Sequence, residues 1–188
     1  MARRQGRAEV IDYRATRTVN FAQAAMADKT AQVAGTCAAG GDMRIDRGMA
    51  ETAVRESKDR VRGAIISTGF KFPQRRISVS LGPADLRKTG GRFDLGVALG
   101  ILIASRQVAD GELDSIEFYG ELGMNGDVRS VPGILPAALK ADASGRTVIV
   151  PQANRNEAAL SAARVFAVGT LLEVEDHKKN EKVIIALE

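Results

Sequence analysis

Residues 75–102, RRISVSLGPADLRKTGGRFDLGVALGIL, constrain the fold more than any other part of the sequence. Residues 77–81 alternate apolar and polar side chains, which predicts a strand with one buried face. A basic loop with a Gly-Gly pair follows, and a helix is expected to begin at Asp94. Residues 95–103 are apolar on almost every side of that helix, so other parts of the protein must cover it nearly all round. The stretch therefore predicts a strand, a loop and a helix at the centre of the core.

The residues before this stretch predict one clear helix. Apolar positions recur at helical spacing in residues 51–68, and they form one face of an amphipathic helix. That face consists of Val54, Ser57, Val61, Ala64 and Ile65. Gly69 is placed to end the helix as a left-handed cap, and Pro73 prevents it from resuming. Residues 1–50 contain small apolar residues without a clear period, so little regular structure is expected there.

The residues after the central helix predict alternating strands and helices. Residues 116–131 are typical of a β-hairpin, with Asn125 and Gly126 as a two-residue turn. Helices are expected at residues 133–140 and 156–163, and strands at residues 147–150 and 164–168. This order predicts a mixed α/β domain whose sheet is partly antiparallel.

The composition bounds the class of protein. The chain has 188 residues, of which 45% are hydrophobic, which is enough for the core of one globular domain. No apolar run is long enough for a signal peptide or a membrane span, so a cytoplasmic protein without a membrane partner is expected. Cys37 is the one cysteine and His177 the one histidine, so no internal disulfide and no zinc-like cluster can be read. No metal ligand is therefore predicted.

The net charge of +4 conceals an uneven distribution. Residues 51–109 carry 11 basic and 5 acidic side chains, whereas residues 110–188 carry 8 basic and 13 acidic ones. A basic centre is typical of a surface for nucleic acid or for an acidic partner, and equally of solvated helix faces. The second interpretation is favoured because the sequence has no tryptophan and its basic residues are not interleaved with aromatic ones.

Two common catalytic motifs are missing from the sequence. No G-x-x-x-x-G-K-[ST] loop occurs, so this chain alone is not expected to hydrolyse ATP. No G-x-S-x-G turn occurs either, and the single histidine lies in a charged segment, which leaves a Ser-His-Asp triad without a base. No catalytic or cofactor-binding residue is predicted.

The loop RKTGGR, residues 87–92, is the one candidate anion site. It precedes the N-terminus of a helix, where unpaired N–H groups and nearby cations favour anions. The alternative is a structural turn, and it is favoured because Asp94 could accept those N–H bonds as an N-cap and repel a phosphate. Arg75 and Arg76, beside Pro73, are expected to be exposed strand-edge residues more often than ligands. The candidate anion or nucleic-acid contacts are Arg75, Arg76, Arg87, Lys88 and Arg92.

Three long motifs carry a resemblance to a known family. They are GMAETAVRESKDRVRGAIISTGF, FPQRRISVSLGPADLRKTGGRFDLGVALGIL and FYGELGMNGDVRSVPGILPAALKA. In this order they resemble the N-terminal domain of the ComM/YifB proteins, which are magnesium-chelatase-like AAA+ ATPases. The resemblance implies a Lon-protease-like domain with the ribosomal protein S5 domain 2-like α/β fold. It also implies that full-length members use ATP and Mg²⁺, form hexamers and drive DNA branch migration when transforming DNA recombines.

The likeness to Lon allows a test for peptidase chemistry. A Lon-type site needs a serine nucleophile in a GPSAG-like turn and a lysine base from a following G-x-x-x-K helix. The corresponding turn here is Gly91-Arg92-Phe93-Asp94-Leu95, and the lysine position falls at Ala137. Ser78, Ser80 and Lys140 lie off the motif, so no serine-lysine dyad is expected.

The resemblance divides the chain into three parts. Residues 48–173 form the Lon-like domain, residues 1–47 match poorly, residues 174–188 form a divergent tail, and the AAA+ ATPase module is absent. The strand pair that precedes the first motif in the family is not readable in residues 10–47. We therefore expect a truncated or frame-disrupted family member.

Three functions follow as hypotheses. The first is a non-catalytic accessory domain of a DNA-remodelling ATPase, with DNA and a homo-oligomer as its expected partners. The second is a degenerate Lon-type peptidase, and the third is a stand-alone nucleic-acid-binding domain that uses the basic centre.

Overall fold

The computed structural model describes residues 17–26, 29–38, 43–46, 51–74, 76–82, 91–108 and 115–174. The strands in this part of the chain are β1 (Arg17–Met26), β2 (Lys29–Ala38), β3 (Met43–Asp46), β4 (Arg76–Gly82), β5 (Ile116–Phe118), β6 (Glu121–Leu122), β7 (Val128–Arg129), β8 (Thr147–Pro151) and β9 (Val165–Val168). The helices are α1 (Glu51–Ser67), α2 (Asp94–Ala104), α3 (Ile134–Ala143) and α4 (Arg155–Ala158), the last preceded by a 3-10 turn at Gln152–Asn154. The tail beyond residue 174 lies outside these ranges.

The strands form two sheets and one hairpin. In the larger sheet the order is β1-β2-β4-β3, where β4 pairs antiparallel with β2 and parallel with β3. The second sheet has the order β5-β8-β9 and is parallel throughout. The strands β6 and β7 form an antiparallel hairpin. The prediction of a mixed α/β fold with partly antiparallel pairing is confirmed.

Two expectations about the larger sheet are wrong. Residues 1–50 were expected to hold little regular structure, yet β1 and β2 pair antiparallel along most of their length and β3 follows them. Small alanine and glycine residues give these strands a weak alternation, and the partner of β2 and β3 is β4, which comes much later in the chain. Because β4 has a neighbour on each side, it is not an edge strand, and Arg76 opens it opposite Ala38.

Helix α2 lies at the centre of the core, as predicted. It begins at Asp94, and every residue from Asp94 to Ile103 is buried. Its backbone lies against β1 and β2 on one side and near α1 and β6 on others. Ile77 and Val79 of β4 belong to the same core. The helix can be apolar all round because neighbouring elements cover it on several sides.

Helix α1 confirms the predicted amphipathic pattern. Val61, Ala64 and Ile65 are fully buried and Ser57 is 4% exposed. The helix ends where expected, since Gly69 has a φ of +86° and the Phe70 N–H donates back to the carbonyl of Ile65 at 3.1 Å. Such a left-handed residue closes a helix at low cost when it is glycine.

The turn between β6 and β7 is longer than predicted. The Gly126 N–H donates to the Gly123 carbonyl at 3.0 Å, and the Gly123 N–H donates to the Asp127 carbonyl at 2.8 Å. Gly126 has a φ of +92°, whereas Asn125 is not among the described residues with positive φ. A two-residue turn would need positive φ at both positions, so the chain forms a three-residue loop with glycine in the left-handed position instead. The hairpin is also shorter than residues 116–131, because β5 pairs in the parallel sheet.

The last elements follow the predicted order with one difference. The strands predicted at residues 147–150 and 164–168 are β8 and β9, and the helix predicted at residues 133–140 is α3. Helix α4 ends at Ala158 rather than at residue 163. The Ser161 N–H and Oγ both donate to the carbonyl of Ala158, which turns the chain away from the helix axis.

Helix α3 receives its N-terminal cap from a distant side chain. Its N-cap residue, Gly133, has no side chain to offer. The Glu157 carboxylate instead accepts hydrogen bonds from the N–H groups of Ile134 and Leu135 at 2.9 and 3.0 Å. The Asn154 amide donates to the same carboxylate at 2.9 Å and bonds the backbone of Val131 on its other side. These backbone hydrogen bonds, foremost that of Leu135, lower the pKa of Glu157.

Replacing Glu157 with glutamine is expected to lower the free energy of unfolding at neutral pH by about 0.3–1 kcal/mol, because the amide oxygen can still accept these bonds but the negative charge at the helix N-terminus is lost. Because the folded-state pKa of Glu157 is depressed, its contribution is present above the ordinary carboxyl pKa and is lost as pH falls through the folded-state value. The difference between the parent chain and Glu157→Gln should therefore shrink as pH falls. Urea unfolding at several pH values measures it, and a difference that grows in acid would contradict the capping role.

Candidate functional site

The predicted basic cluster can be followed only in part. Arg75, Arg87 and Lys88 lie outside the described residues, and of Arg76 the structure describes the backbone position at the start of β4. Arg92 is the member whose side chain is described, and it is 8% exposed. Of the five candidate residues, the structure thus describes the side chain of Arg92 alone.

Arg92 points into the protein rather than into solvent. Its guanidinium carbon lies 5.6 Å from the centroid of the Tyr119 ring, within the range of a cation–π contact. Its Nε and Nη2 atoms are buried without a hydrogen-bond partner. Burial lowers the pKa of this guanidinium. A buried donor reaches a phosphate backbone only after a rearrangement, so the nucleic-acid contact predicted at Arg92 stays a prediction.

The N-terminus of α2 is already occupied by protein groups. The Asp94 N–H donates to the Gly91 carbonyl at 2.8 Å, and the Leu95 N–H donates to the Gly120 carbonyl at 3.1 Å. The N-cap residue is Phe93, and no side chain caps the helix. The expectation that Asp94 caps α2 is therefore wrong, because its carboxylate is used elsewhere. The structural-turn interpretation agrees with these bonds better than an anion site does.

Asp94 is the centre of a buried polar cluster between α1, α2 and β6. Its carboxylate accepts hydrogen bonds from Ser57 Oγ at 2.6 Å, from Arg60 Nε at 2.7 Å and from the Leu122 N–H at 3.3 Å. Asp94 is 1% exposed, and burial raises its pKa while the bonds from Arg60 and Ser57 oppose the shift. Ser57 stands on the apolar face of α1 because its hydroxyl has this buried acceptor. Every group in the cluster is used to join structural elements.

Gly91 allows the loop to approach this cluster. A Cβ added at Gly91 would overlap Cγ of Glu121 and lie 2.7 Å from its Oε2 and 2.8 Å from Asp94 Oδ2. A side chain at this position would therefore displace the carboxylates on which the turn packs.

A second buried carboxylate was not predicted from the sequence. Glu117 in β5 is 1% exposed and accepts hydrogen bonds from Tyr119 Oη at 2.6 Å and from Arg146 Nε at 2.8 Å. Burial raises the pKa of Glu117, and its two donors oppose the shift. The alternation of residues 116–118 could have placed Glu117 on one face of a strand, but nothing local in the sequence indicates its partner Arg146.

The two positions that the predicted resemblance aligns with the Lon dyad hold buried apolar residues. Phe93 is 3% exposed in the turn before α2, and Ala137 is 1% exposed inside α3. Ser144 and Lys140 approach each other through the Lys140 carbonyl, to which the Ser144 hydroxyl donates at 3.0 Å. A backbone carbonyl cannot act as the amine base of a dyad.

The described ranges contain neither a cluster of metal-binding side chains nor a membrane-spanning helix. Within them, no group of three or more His, Cys, Asp or Glu side chains lies close enough to hold a metal ion. None of the helices described here combines the length and the apolar character needed to cross a bilayer.

Comparison with known proteins identifies the family. The family model described as subunit ChlI of Mg-chelatase matches residues 38–154, which is more than half of the chain. The competence protein ComM of Haemophilus influenzae is 47% identical over 128 residues, which cover 68% of this chain and 25% of that protein. The uncharacterized protein YifB of Escherichia coli is 46% identical over 113 residues, which cover 60% of this chain and 22% of that protein.

A more distant relative matches a similar share of the chain. An uncharacterized protein of Mycobacterium tuberculosis is 39% identical over 114 residues, or 60% of this chain and 23% of that protein. The chain thus spans about a quarter of the length of the curated relatives it matches. The family model and the relatives agree: this chain belongs to the ComM/YifB family of magnesium-chelatase-like proteins.

Proposed function

We propose that this chain acts as the non-catalytic N-terminal domain of a ComM/YifB-type AAA+ ATPase, whose family role is DNA branch migration in natural transformation and recombination. The observation that carries the proposal is the 47% identity with a protein named for competence, over 128 residues. The family match at residues 38–154 includes β4, α1, α2 and α3, which are the elements that build the core.

The non-catalytic part of the proposal is supported by how polar groups are used at the turn before α2. Asp94 is held by Ser57, Arg60 and the backbone of Leu122. The contacts of Asp94 therefore join α1, α2 and β6, and they do not expose its carboxylate as a reactive group. Ala137 offers no base where a Lon-type peptidase would need one. We accordingly favour a domain that positions other parts of a machine over a degenerate peptidase.

The proposal assigns cofactors and partners to the longer relatives. ATP and Mg²⁺ would bind to the ATPase module of full-length members, and this domain would hold neither. Its own partners would be DNA and further copies of the protein in a homo-oligomer, a hexamer in full-length members. A cytoplasmic location goes with this role because chromosomal recombination takes place there.

A chimera tests the proposed role. The segment of Haemophilus influenzae competence protein ComM that aligns with this chain is replaced by the aligned residues of this chain, and transformation frequency is measured. We expect the chimera to retain most of the parent frequency, because a positioning domain with a shared core should be exchangeable. The control is the same protein with the segment deleted, which should transform poorly. A chimera as poor as the deletion, although expressed to the parent level, would contradict the proposal.

Two assays on the purified chain test the absence of chemistry. The chain is incubated with ATP and Mg²⁺ to measure phosphate release, and with casein to measure cleavage. Neither product is expected. Cleavage of casein that follows the chain through two purification columns would support the peptidase hypothesis instead.

A further inference from the structure

Three exposed cations lie near the C-terminal ends of α1 and α2. They are Arg62 on α1, Lys71 in the segment after α1, and Arg106 just after α2. Within the described part of the chain, none of the three takes part in an ion pair. We call this surface the α1–α2 basic patch, consisting of Arg62, Lys71 and Arg106.

Two contacts link the segments that carry these residues. The Arg62 guanidinium carbon lies 5.0 Å from the centroid of the Phe72 ring, which is a cation–π contact. Lys71 is next to Phe72, and its backbone N–H and carbonyl both bond the Gln107 side-chain amide at 2.7 Å. Gln107 follows Arg106 directly. The cation–π contact and the double hydrogen bond thus link the segments that carry the three cations.

Arg106 has a backbone conformation that its side chain disfavours. Its φ is +61°, which makes it the non-glycine residue with positive φ among the described residues. Its N–H donates to the Ile103 carbonyl at 2.9 Å and the next N–H donates to the Leu102 carbonyl at 2.8 Å, so Arg106 occupies the left-handed position that ends α2. Glycine is the residue usually found there. An arginine in this conformation carries backbone strain that glycine would avoid, and such strain is a ground for proposing a role for its side chain.

The chemistry of the patch fits a phosphate backbone. A guanidinium stacked on an aromatic face keeps its N–H edge free for a phosphate, and a flexible lysine adds a point charge. Lys58 lies one turn before Arg62 on α1 and extends the positive surface, while Asp59 is the exposed acid beside it. The net positive charge spread over three separate segments suits a polyanion that crosses all of them.

We propose that the α1–α2 basic patch binds the phosphate backbone of duplex DNA without sequence preference. The choice of DNA over another polyanion rests on the proposed function. The patch is distinct from the cluster predicted around residues 87–92, whose described member Arg92 is buried.

The test measures how the affinity of the full chain for a fluorescent 20-base-pair duplex depends on salt, by anisotropy between about 50 and 200 mM. Three phosphate contacts should give a log–log slope near about −2.7, which is about a 40-fold loss of affinity across that range. Each of Arg62→Gln, Lys71→Gln and Arg106→Gly should make the slope shallower by about 1. Arg106→Lys keeps the charge and should keep the slope. Arg164→Gln is the matched control, because Arg164 is an exposed arginine just before β9, a strand outside the segments that carry the patch.

Arg106→Gly provides a second readout that a merely structural role would not give. Glycine relieves the left-handed strain, so the melting temperature should rise by about 2–4 °C while DNA binding weakens. If the melting temperature falls together with the affinity for DNA, the variant has a damaged fold, and the role assigned to Arg106 is overturned. The melting curves of the other variants should match the parent, which shows that their binding losses are local.

The outcomes separate this inference from the proposed function. DNA binding that is unchanged in all three patch variants overturns the inference and leaves the proposed function standing. Failure to bind DNA at 50 mM salt also overturns the inference. If the chain binds polyglutamate instead of DNA, that result would indicate an acidic protein partner. If the patch variants bind DNA as expected but the chimera does not support transformation, the result would count against the proposed function alone.

Discussion

Replacing Asp94 with alanine is expected to lower the free energy of unfolding by about 3–5 kcal/mol, the usual cost of removing one partner of a buried ion pair. The change takes away the carboxylate that lies 2.7 Å from Arg60 Nε. The Arg60 side chain, which is 18% exposed, is left with the more exposed Glu56 carboxylate at 3.8 Å as its ion-pair partner. Ser57 Oγ and the Leu122 N–H lose their acceptor too. Urea unfolding followed by far-UV circular dichroism measures the loss.

Two further variants make the Asp94 result interpretable. Arg129→Ala removes an ion pair with Glu121 that is longer, 3.9 Å, and far more exposed, so it should cost less than about 1 kcal/mol. The double variant Arg60→Met with Asp94→Leu should recover much of the loss, because it leaves no charge unpaired. A cost below about 1 kcal/mol for Asp94→Ala would show that Arg60 reaches water easily, and the cluster would then not hold α1, α2 and β6 together.

Replacing Gly126 with alanine is expected to lower the free energy of unfolding by about 2–4 kcal/mol, because it adds both backbone strain and steric overlap. Gly126 has a φ of +92°, and an added Cβ would overlap Cγ2 of Thr68 at the end of α1. Thr68 cannot easily turn aside, since its Oγ1 donates to the Ala64 carbonyl at 2.7 Å. The same urea titration measures the effect.

Gly145→Ala is the matched control for Gly126→Ala. Gly145 also has positive φ, +64°, but an added Cβ there meets no atom within 4 Å. Gly145→Ala should therefore lower the free energy of unfolding only by the cost of a left-handed alanine, about 1 kcal/mol. Equal losses for the two variants would mean that the contact between the β6–β7 loop and α1 is loose, against the close packing seen at Thr68.

The parts of the fold that were predictable are those whose signal is local. The apolar run in α2 and the helical spacing in α1 each identify a buried helix from neighbouring residues alone. The left-handed end of α1 was readable because glycine marks it. The three N-terminal strands were not, because alanine and glycine alternate weakly and β4, the shared partner of β2 and β3, is remote in the chain.

The candidate sites were less predictable because their partners are distant in sequence. Asp94 has the residue type and position of a helix cap, yet Arg60 and Ser57, more than thirty residues earlier, take its carboxylate. Arg106 carries no sequence signal for positive φ, since arginine gives no hint of a left-handed backbone. Arg92 lies in a basic loop that is typical of a surface, but the Tyr119 ring draws it inward.

The central place of β4 has a consequence for how the molecule is made. Ala38 of β2 pairs with Arg76 of β4, so β2 leaves the ribosome well before the strand that completes its ladder. At a translation rate of about 5–20 residues per second, the delay is about 2–8 s. Throughout it the nascent hairpin of β1 and β2 has an open strand edge that a neighbouring nascent chain could pair with. Mispairing with another chain is thus favoured during synthesis, and slower translation would lengthen the time for which the edge of β2 is unpaired.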